Sequence, residues 1–245
     1  MPTWPRSREE LEELQRALAV MAPDPWEPPE RFTVGAVFAA FSTRADPAGR
    51  ERGWAAAVAG EAPVGPAFVP GALAELAFTP DAPYEPGYLA LREGPALEAV
   101  ARALPSLPDV LLVDATGRDH PRGAGLALHL GAVLEVPSVG VTDRPLVAAI
   151  GGDGRLVMDG REVGRLFWTR AGARPVCVHA AWRTHVETAC RVVAACASGR
   201  ARTPEPLRLA RFLARSARAR DEGRLPPGWR RIEPGSSVSP AGADG

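Results

Sequence analysis

The chain has 245 residues, 46% of them hydrophobic, and its 29 basic and 29 acidic side chains give a formal net charge of +0. This length and composition are typical of one globular domain with a substantial core. The balanced charge excludes the global basic excess that marks many nucleic-acid binders, although a local basic face remains open.

The three cysteines lie in apolar surroundings without the spacing of a zinc site, so we expect reduced, buried thiols. No leader-like or bilayer-length apolar run is visible, and we therefore expect a cytoplasmic protein without a membrane partner. The sequence contains no nucleophile elbow, phosphate-binding P-loop or dinucleotide fingerprint. Serine hydrolase, NTPase and dehydrogenase functions thus have no support.

The first half of the chain predicts a helix, three strands and a second helix. Ser7 and Glu10 form a capping-box pattern ahead of apolar residues at helical spacing, which predicts a helix that ends before the prolines at 23–29. Apolar segments separated by polar or Gly/Pro turns predict an antiparallel meander of strands at 32–41, 53–59 and 67–78. Helical spacing returns at 88–104.

The second half predicts alternating strands and helices. A strand at 110–113, a helix at 120–134 and a strand at 136–141 form a right-handed parallel βαβ unit. Asp-Gly turns predict a hairpin around 155–158, and a strand at 176–179 is followed by helices at 183–197 and 205–220. We expect one domain over 1–222 and a disordered tail over 223–245, which is rich in Pro, Gly and Ser.

Asp114 is the first candidate for chemistry. It follows the apolar strand Val110-Leu111-Leu112-Val113 and precedes a small-residue turn into a helix. Catalytic and binding groups collect at such strand ends in α/β sheets. The alternative is that Asp114 only caps the turn.

Two segments carry a resemblance to a known family. The segment 114–131 (DATGRDHPRGAGLALHLG) together with 83–97 (PYEPGYLALREGPAL) is similar to endonuclease V, a family that nicks DNA or RNA near inosine. The resemblance extends from the first helix to about residue 220. It implies an α/β, ribonuclease H-like mixed sheet, with three antiparallel strands and then parallel βα units, flanked by helices. It also implies a magnesium-dependent phosphodiester hydrolase.

The resemblance implies four catalytic metal-binding groups, two of which are matched here. Glu93 and Asp114 match a Glu and an Asp, so they are the candidate catalytic residues and magnesium ligands. The alternative for Glu93 is a purely structural role, in which its negative charge near the start of a helix interacts favourably with the helix dipole. The third group in the family is an Asp on the first strand, and the corresponding residue in this chain is Val37. Asp46 lies too far along the chain to replace that Asp. The fourth group, a His, falls at Trp182, whose indole cannot bind magnesium. We therefore expect magnesium binding to be weak or absent.

Tyr84, between Pro83 and Pro86, matches the wedge that separates strands and holds a base out of the stack. Packing in a rigid turn is the alternative, but the loop should be exposed and stiff, which favours the wedge. The resemblance also implies nucleic-acid contacts at Thr116, Gly117, His120 and Arg122. For His120, the alternative is packing in a turn or in the core. The arginines of the last helix could follow a phosphate backbone or form a solvated face; they are Arg208, Arg211, Arg215, Arg218 and Arg220.

Three functions remain open for this expected monomer. It could bind inosine-containing or distorted DNA or RNA with nuclease activity lost or weakened, or it could be an active nuclease that uses Glu93, Asp114 and a further ligand. The third is a repurposed cleft for another small molecule or a protein. For that function we expect Trp182 at the cleft mouth, where it would bind flat, apolar ligands.

Overall fold

The computed structural model describes residues 3–43, 50–65, 67–225 and 231–235. The strands in this part of the chain are β1 (Phe32–Phe41), β2 (Gly53–Ala62), β3 (Pro70–Phe78), β4 (Val110–Val113), β5 (Ser138–Thr142), β6 (Ala149–Ile150), β7 (Arg155–Met158), β8 (Arg161–Phe167) and β9 (Val176–Ala180). The helices are α1 (Arg8–Val20), α2 (Leu89–Arg102), α3 (Leu126–Leu134), α4 (Val186–Ala195) and α5 (Glu205–Asp221).

All the strands belong to one mixed sheet in the order β3-β2-β1-β4-β5-β9-β8-β7-β6. The meander β1-β2-β3 is antiparallel, β4 and β5 run parallel to β1, and β9 reverses direction beside β5. This arrangement confirms the predicted fold class. Because β1 and β4 are parallel neighbours, their carboxyl ends lie side by side, and Val37 is paired with Val113.

Each face of the sheet buries its own apolar core. One core joins β1 and β4 to α1, α2 and α3, with Leu11, Leu97 and Leu128 fully buried. The other core lies beneath α4 and α5, which contribute Val192 and Leu213. Burial of this apolar surface on both faces is the main stabilising contribution to the fold.

The predicted helix at 120–134 begins later than expected, at Leu126. Residues 120–125 form a turn in which Gly123 adopts a φ of +73°, a conformation that costs glycine little. The carbonyls of Thr116 and Gly117 accept hydrogen bonds from the amides of Ala127 (3.1 Å) and Gly125 (2.7 Å). The strand-end loop therefore folds back onto the start of α3 instead of continuing as helix.

The predicted tail lies mainly outside the described residues, at 226–230 and 236–245. Within it, the amide of Gly235 donates to the carbonyl of Pro70 on β3 at 2.8 Å. The domain boundary at 222 stays a prediction. No helix in the described ranges has the length and apolar character needed to cross a membrane.

Candidate nucleic-acid cleft and metal position

The carboxyl ends of β1 and β4 open into a cavity of about 350 Å³. Val37, Glu93 and Asp114 all line it, together with Phe38 and Tyr84. Three of the four positions that the resemblance assigns to metal binding thus lie around one space. Val37 is fully buried, so an isopropyl group stands where a carboxylate would face an ion.

Asp114 is held by an arginine from the last helix. Arg211 Nε donates to Asp114 Oδ2 at 3.1 Å, and an Arg211 Nη donates to Oδ1 at 2.9 Å. The other Arg211 Nη donates to Thr203 Oγ1 at 3.1 Å, which fixes the guanidinium plane. Both partners are largely buried. A bidentate pair of this kind is among the stronger charge-assisted interactions in proteins.

Glu93 lies half-buried on α2 and has no hydrogen-bond or ion-pair partner in the described part of the chain. Burial and, next, the negative charge of Asp114 together raise its pKa to about 8, and Arg92 partly opposes the shift. The side chain is therefore mainly protonated at neutral pH.

These residues do not fit a magnesium ion. Val37 supplies no ligand, and Arg211 occupies both Asp114 oxygens. Across the described ranges, no group of three His, Cys, Asp or Glu side chains is arranged to hold a metal. Asp46, the carboxylate weighed as a replacement for the first-strand Asp, lies outside the described residues.

The prediction that Trp182 lies at the cleft mouth is wrong. Its side chain belongs to the buried core, is only 8% exposed, and lines neither cavity next to Asp114. The amide of Trp182 donates to Ser138 Oγ (3.2 Å), and its carbonyl accepts from the Ser138 amide (2.9 Å). This exchange with the start of β5 fixes the residue against α3.

Neither alternative histidine faces Asp114. His179 is fully buried, with its Nδ1 at 3.6 Å from Asp119 Oδ2, and His185 lies exposed at the start of α4. The side chain that does contact Asp114 is Arg211. It follows Asp114 by 97 positions, so local sequence pattern gives no sign of the contact.

A second cavity, of about 190 Å³, lies on the other side of Asp114. The two cavities share Tyr84, Leu89 and Asp114. Tyr84 is 67% exposed, as a wedge residue should be. The predicted contact residues Pro86, Thr116 and His120 line the second cavity, as does Leu146. Pro83 is exposed, Gly117 packs against β9, and neither lines either cavity.

The loop that carries Tyr84 is braced through the carbonyl of Gly87. Arg122 Nη donates to this carbonyl at 2.8 Å, and His120 Nε2 lies 3.2 Å from it. Arg122 Nε also donates to Gln15 Oε1 at 2.6 Å. Burial, followed by the charge of Arg122, lowers the pKa of His120 to about 4, so the imidazole is neutral and can donate from Nε2. Arg122 and His120 thus position the Tyr84 loop.

Asp119, which the sequence analysis did not single out, fixes the opposite wall of the second cavity. Its fully buried carboxylate accepts hydrogen bonds from three consecutive amides, at Leu146, Val147 and Ala148 (2.8–2.9 Å). Leu146 and Arg144 of this segment line the cavity. Arg144 is exposed and makes no ion pair with the described residues.

The arginines of α5 do not form a phosphate-binding stripe. Arg208 pairs with Glu205, Arg211 with Asp114, and Arg220 with Glu75, while Arg218 donates to the carbonyl of Phe41. All five therefore contact the protein itself, since Arg215, which has no ion pair in the described part of the chain, lies over the Phe38 ring at 5.8 Å from its centroid.

The sheet order, the strand-end aspartate and the adjacent tyrosine loop define a ribonuclease H-like protein with a nuclease-type cleft. A family model of endonuclease V matches residues 29–212, and the chain belongs to this family. The endonuclease V of Methanopyrus kandleri is 47% identical over 154 residues, which cover 59% of this chain and 65% of that protein. For the Thermus thermophilus relative, the identity is 47% over 138 residues, 52% of this chain and 60% of the relative.

The chain thus spans somewhat less than two thirds of the length of these curated relatives. Among solved structures, endonuclease V from Streptomyces avermitilis is 31% identical with a TM-score of 0.76, covering 91% of this chain and 98% of that one. The catalytic domain of human endonuclease V is 26% identical with a TM-score of 0.73, covering 90% and 100%. The likeness therefore extends over about nine tenths of this chain.

The raised pKa of Glu93 predicts a pH-dependent loss of stability. A carboxyl group whose pKa is higher in the folded state contributes stability that is fully present below about pH 4.5 and is lost as pH rises toward 8. The neutral amide of Glu93→Gln removes this loss. Chemical unfolding should show no large difference from wild type at pH 5, and a variant more stable by about 1–3 kcal/mol at pH 9.

Glu13→Gln, at an exposed carboxylate on α1, is the matched control and should change stability by less than about 0.5 kcal/mol without a pH trend. Parallel pH profiles for wild type and Glu93→Gln would contradict the assignment of a neutral Glu93.

Proposed function

We propose that this protein binds inosine-containing or distorted nucleic acid and that its metal-dependent nuclease activity is lost or strongly weakened. The observation that carries the proposal is the bidentate pair between Arg211 and Asp114, beside a cavity wall formed by Val37. A cation held by the protein occupies the carboxylate that would otherwise bind the metal.

Electrostatics supports the loss of metal binding. Two unit charges 4 Å apart interact by about 4 kcal/mol at an effective dielectric constant of 20, and the effect doubles for a divalent ion. A magnesium ion at Asp114 would meet this repulsion from Arg211 and would lack the attraction of a carboxylate at position 37. Displacing Arg211 would leave its largely buried charge without its partner, which is costly in itself.

Binding is supported by the second cavity, of about 190 Å³. Tyr84 is exposed at its rim, and Arg122 and His120 hold the loop from beneath. An endonuclease V from Ciona intestinalis, with a TM-score of 0.73 and 20% identity, was solved in complex with a DNA containing an inosine followed by a ribo-adenosine. That likeness concerns the fold, and the binding of such a strand by this chain is part of the proposal.

The third function, a repurposed cleft for flat apolar ligands, loses its support. It depended on Trp182 at the cleft mouth, and Trp182 is part of the core.

The direct test compares binding and cleavage of the same strand in the presence of magnesium. Wild type should bind an inosine-containing strand more tightly than its adenosine counterpart and should leave both intact. Tyr84→Ala should weaken binding of the inosine strand by about tenfold or more, because stacking of a base on an aromatic ring contributes roughly 1–3 kcal/mol. Fluorescence anisotropy measures the binding, and denaturing gels measure the cleavage.

Tyr84→Phe, which keeps the ring, is the matched control and should bind nearly as well as wild type. Efficient nicking near inosine that is lost in Asp114→Asn would show an active nuclease. Equal binding by wild type and Tyr84→Ala, or no binding at low salt, would refute recognition through the wedge.

Arg144 predicts a salt-dependent part of the affinity. Its side chain lines the second cavity and has no ion-pair partner in the described ranges, so it is free to contact a phosphate. Arg144→Ala should weaken binding of inosine and adenosine strands by similar factors. It should also reduce the slope of log affinity against log salt by about 1. The matched control is Arg170→Ala, at an exposed arginine that lines none of the cavities described here; an unchanged slope in Arg144→Ala would contradict the contact.

A further inference from the structure

A third cavity, of about 640 Å³, lies where the end of α1 meets the connection between β9 and α4. It shares no lining residue with the two cavities next to Asp114. Its polar wall contains Arg118, Arg161, Arg183 and His185. We call this third cavity the arginine cavity. Among the residues that the structure describes, no Asp or Glu lines it.

Two of its arginines are fixed without losing their charge. Arg118 donates to the carbonyls of Ala19 (3.0 Å) and Met21 (3.2 Å) at the end of α1, and Arg183 Nε donates to the carbonyl of Asp24 (3.1 Å). These acceptors are neutral, so the guanidinium charges are oriented but not cancelled. Burial lowers the pKa of Arg118, as expected for a cation removed from water without a carboxylate beside it.

The other two basic side chains are available to a ligand. Arg161 and His185 are exposed and have no ion-pair partner in the part of the chain that the structure describes. His185 occupies the N-cap of α4 but makes no capping hydrogen bond. The amides of the first turn of α4 therefore add partial positive charge on this side of the cavity.

The opposite wall is apolar and partly open to solvent. Val20 is 83% exposed and Met21 is 46% exposed, and Pro23 and Pro25 extend the same surface. A ligand that suits both walls has an anionic group at one end and a flat, weakly polar body at the other. Phosphate matches the forked guanidinium geometry, and a nucleoside matches the apolar wall.

We propose that the arginine cavity binds the phosphate group of a nucleotide, with Arg118, Arg161 and Arg183 around the phosphate and the nucleoside against residues 20–25. The phosphate belongs either to a free mononucleotide or to a strand that extends beyond the Tyr84 cleft. The free-nucleotide form does not depend on the proposed function, because the two sites share no residue.

The test begins with calorimetric titration of the full chain with adenosine monophosphate, inorganic phosphate and adenosine. The mononucleotide should bind more tightly than either fragment. Arg161→Ala and His185→Ala, both at exposed positions, should each weaken its binding by about fivefold to tenfold. Arg170→Ala and Tyr84→Ala should leave it unchanged, which separates this site from the proposed inosine cleft.

A second arm measures single strands of about 8 and 30 nucleotides with wild type and Arg161→Ala. If a strand supplies the phosphate, the substitution should weaken binding of the long strand alone, and the mononucleotide should bind no better than phosphate. Unchanged affinities for both the mononucleotide and the long strand in Arg161→Ala would overturn the proposal. Loss of mononucleotide binding in Tyr84→Ala but not in Arg161→Ala would overturn it as well.

Discussion

The bidentate contact of Arg211 with Asp114 is the interaction on which the chemistry of this cleft depends. It joins the end of a central strand to the last helix and holds a positive charge directly against Asp114. Val37 complements it, since the position that the resemblance assigns to a carboxylate carries a buried isopropyl group. Glu93 shares this environment, since burial and the charge of Asp114 raise its pKa to about 8. Val37 and the Arg211 contact therefore both disfavour a cation at Asp114, and reversing one alone leaves the other in place.

The two halves of the cleft differ in how they are supported. In the cavity lined by Val37, Glu93 and Asp114, the described polar groups are paired with other protein groups or are neutral. In the second cavity, buried polar groups hold exposed side chains in place. The carbonyl of Gly87 accepts hydrogen bonds that brace the Tyr84 loop, and Asp119 anchors the segment that carries Arg144 and Leu146. Such support preorganises a binding surface. Under the proposed function, this support would let the protein occupy an inosine site without cutting it.

Most of the fold was predictable from the sequence because its signals are local. Apolar runs bounded by Gly and Pro define β1 and β4, and the Ser7 cap marks α1, where the Glu10 amide donates to Ser7 Oγ. The start of α3 was misplaced because the carbonyls of Thr116 and Gly117 compete for its first amides, a contact that helical spacing does not reveal. In the site, the strand-end rule located Asp114, and the resemblance located Glu93 and Val37. The sequence shows Arg211 only as one arginine of a charged helix, because its partner Asp114 is 97 residues away. The resemblance wrongly predicts Trp182 next to Asp114, where the structure has Arg211.

Magnesium binding measured by calorimetry on wild type and on Val37→Asp/Arg211→Ala tests this account most directly. The double substitution introduces a carboxylate at position 37 and removes the competing cation, and neither residue belongs to the Tyr84 loop. The account predicts no saturable binding by wild type at concentrations up to several millimolar, and binding at least about tenfold tighter by the variant. Saturable micromolar binding by wild type that disappears in Asp114→Asn would contradict the central claim.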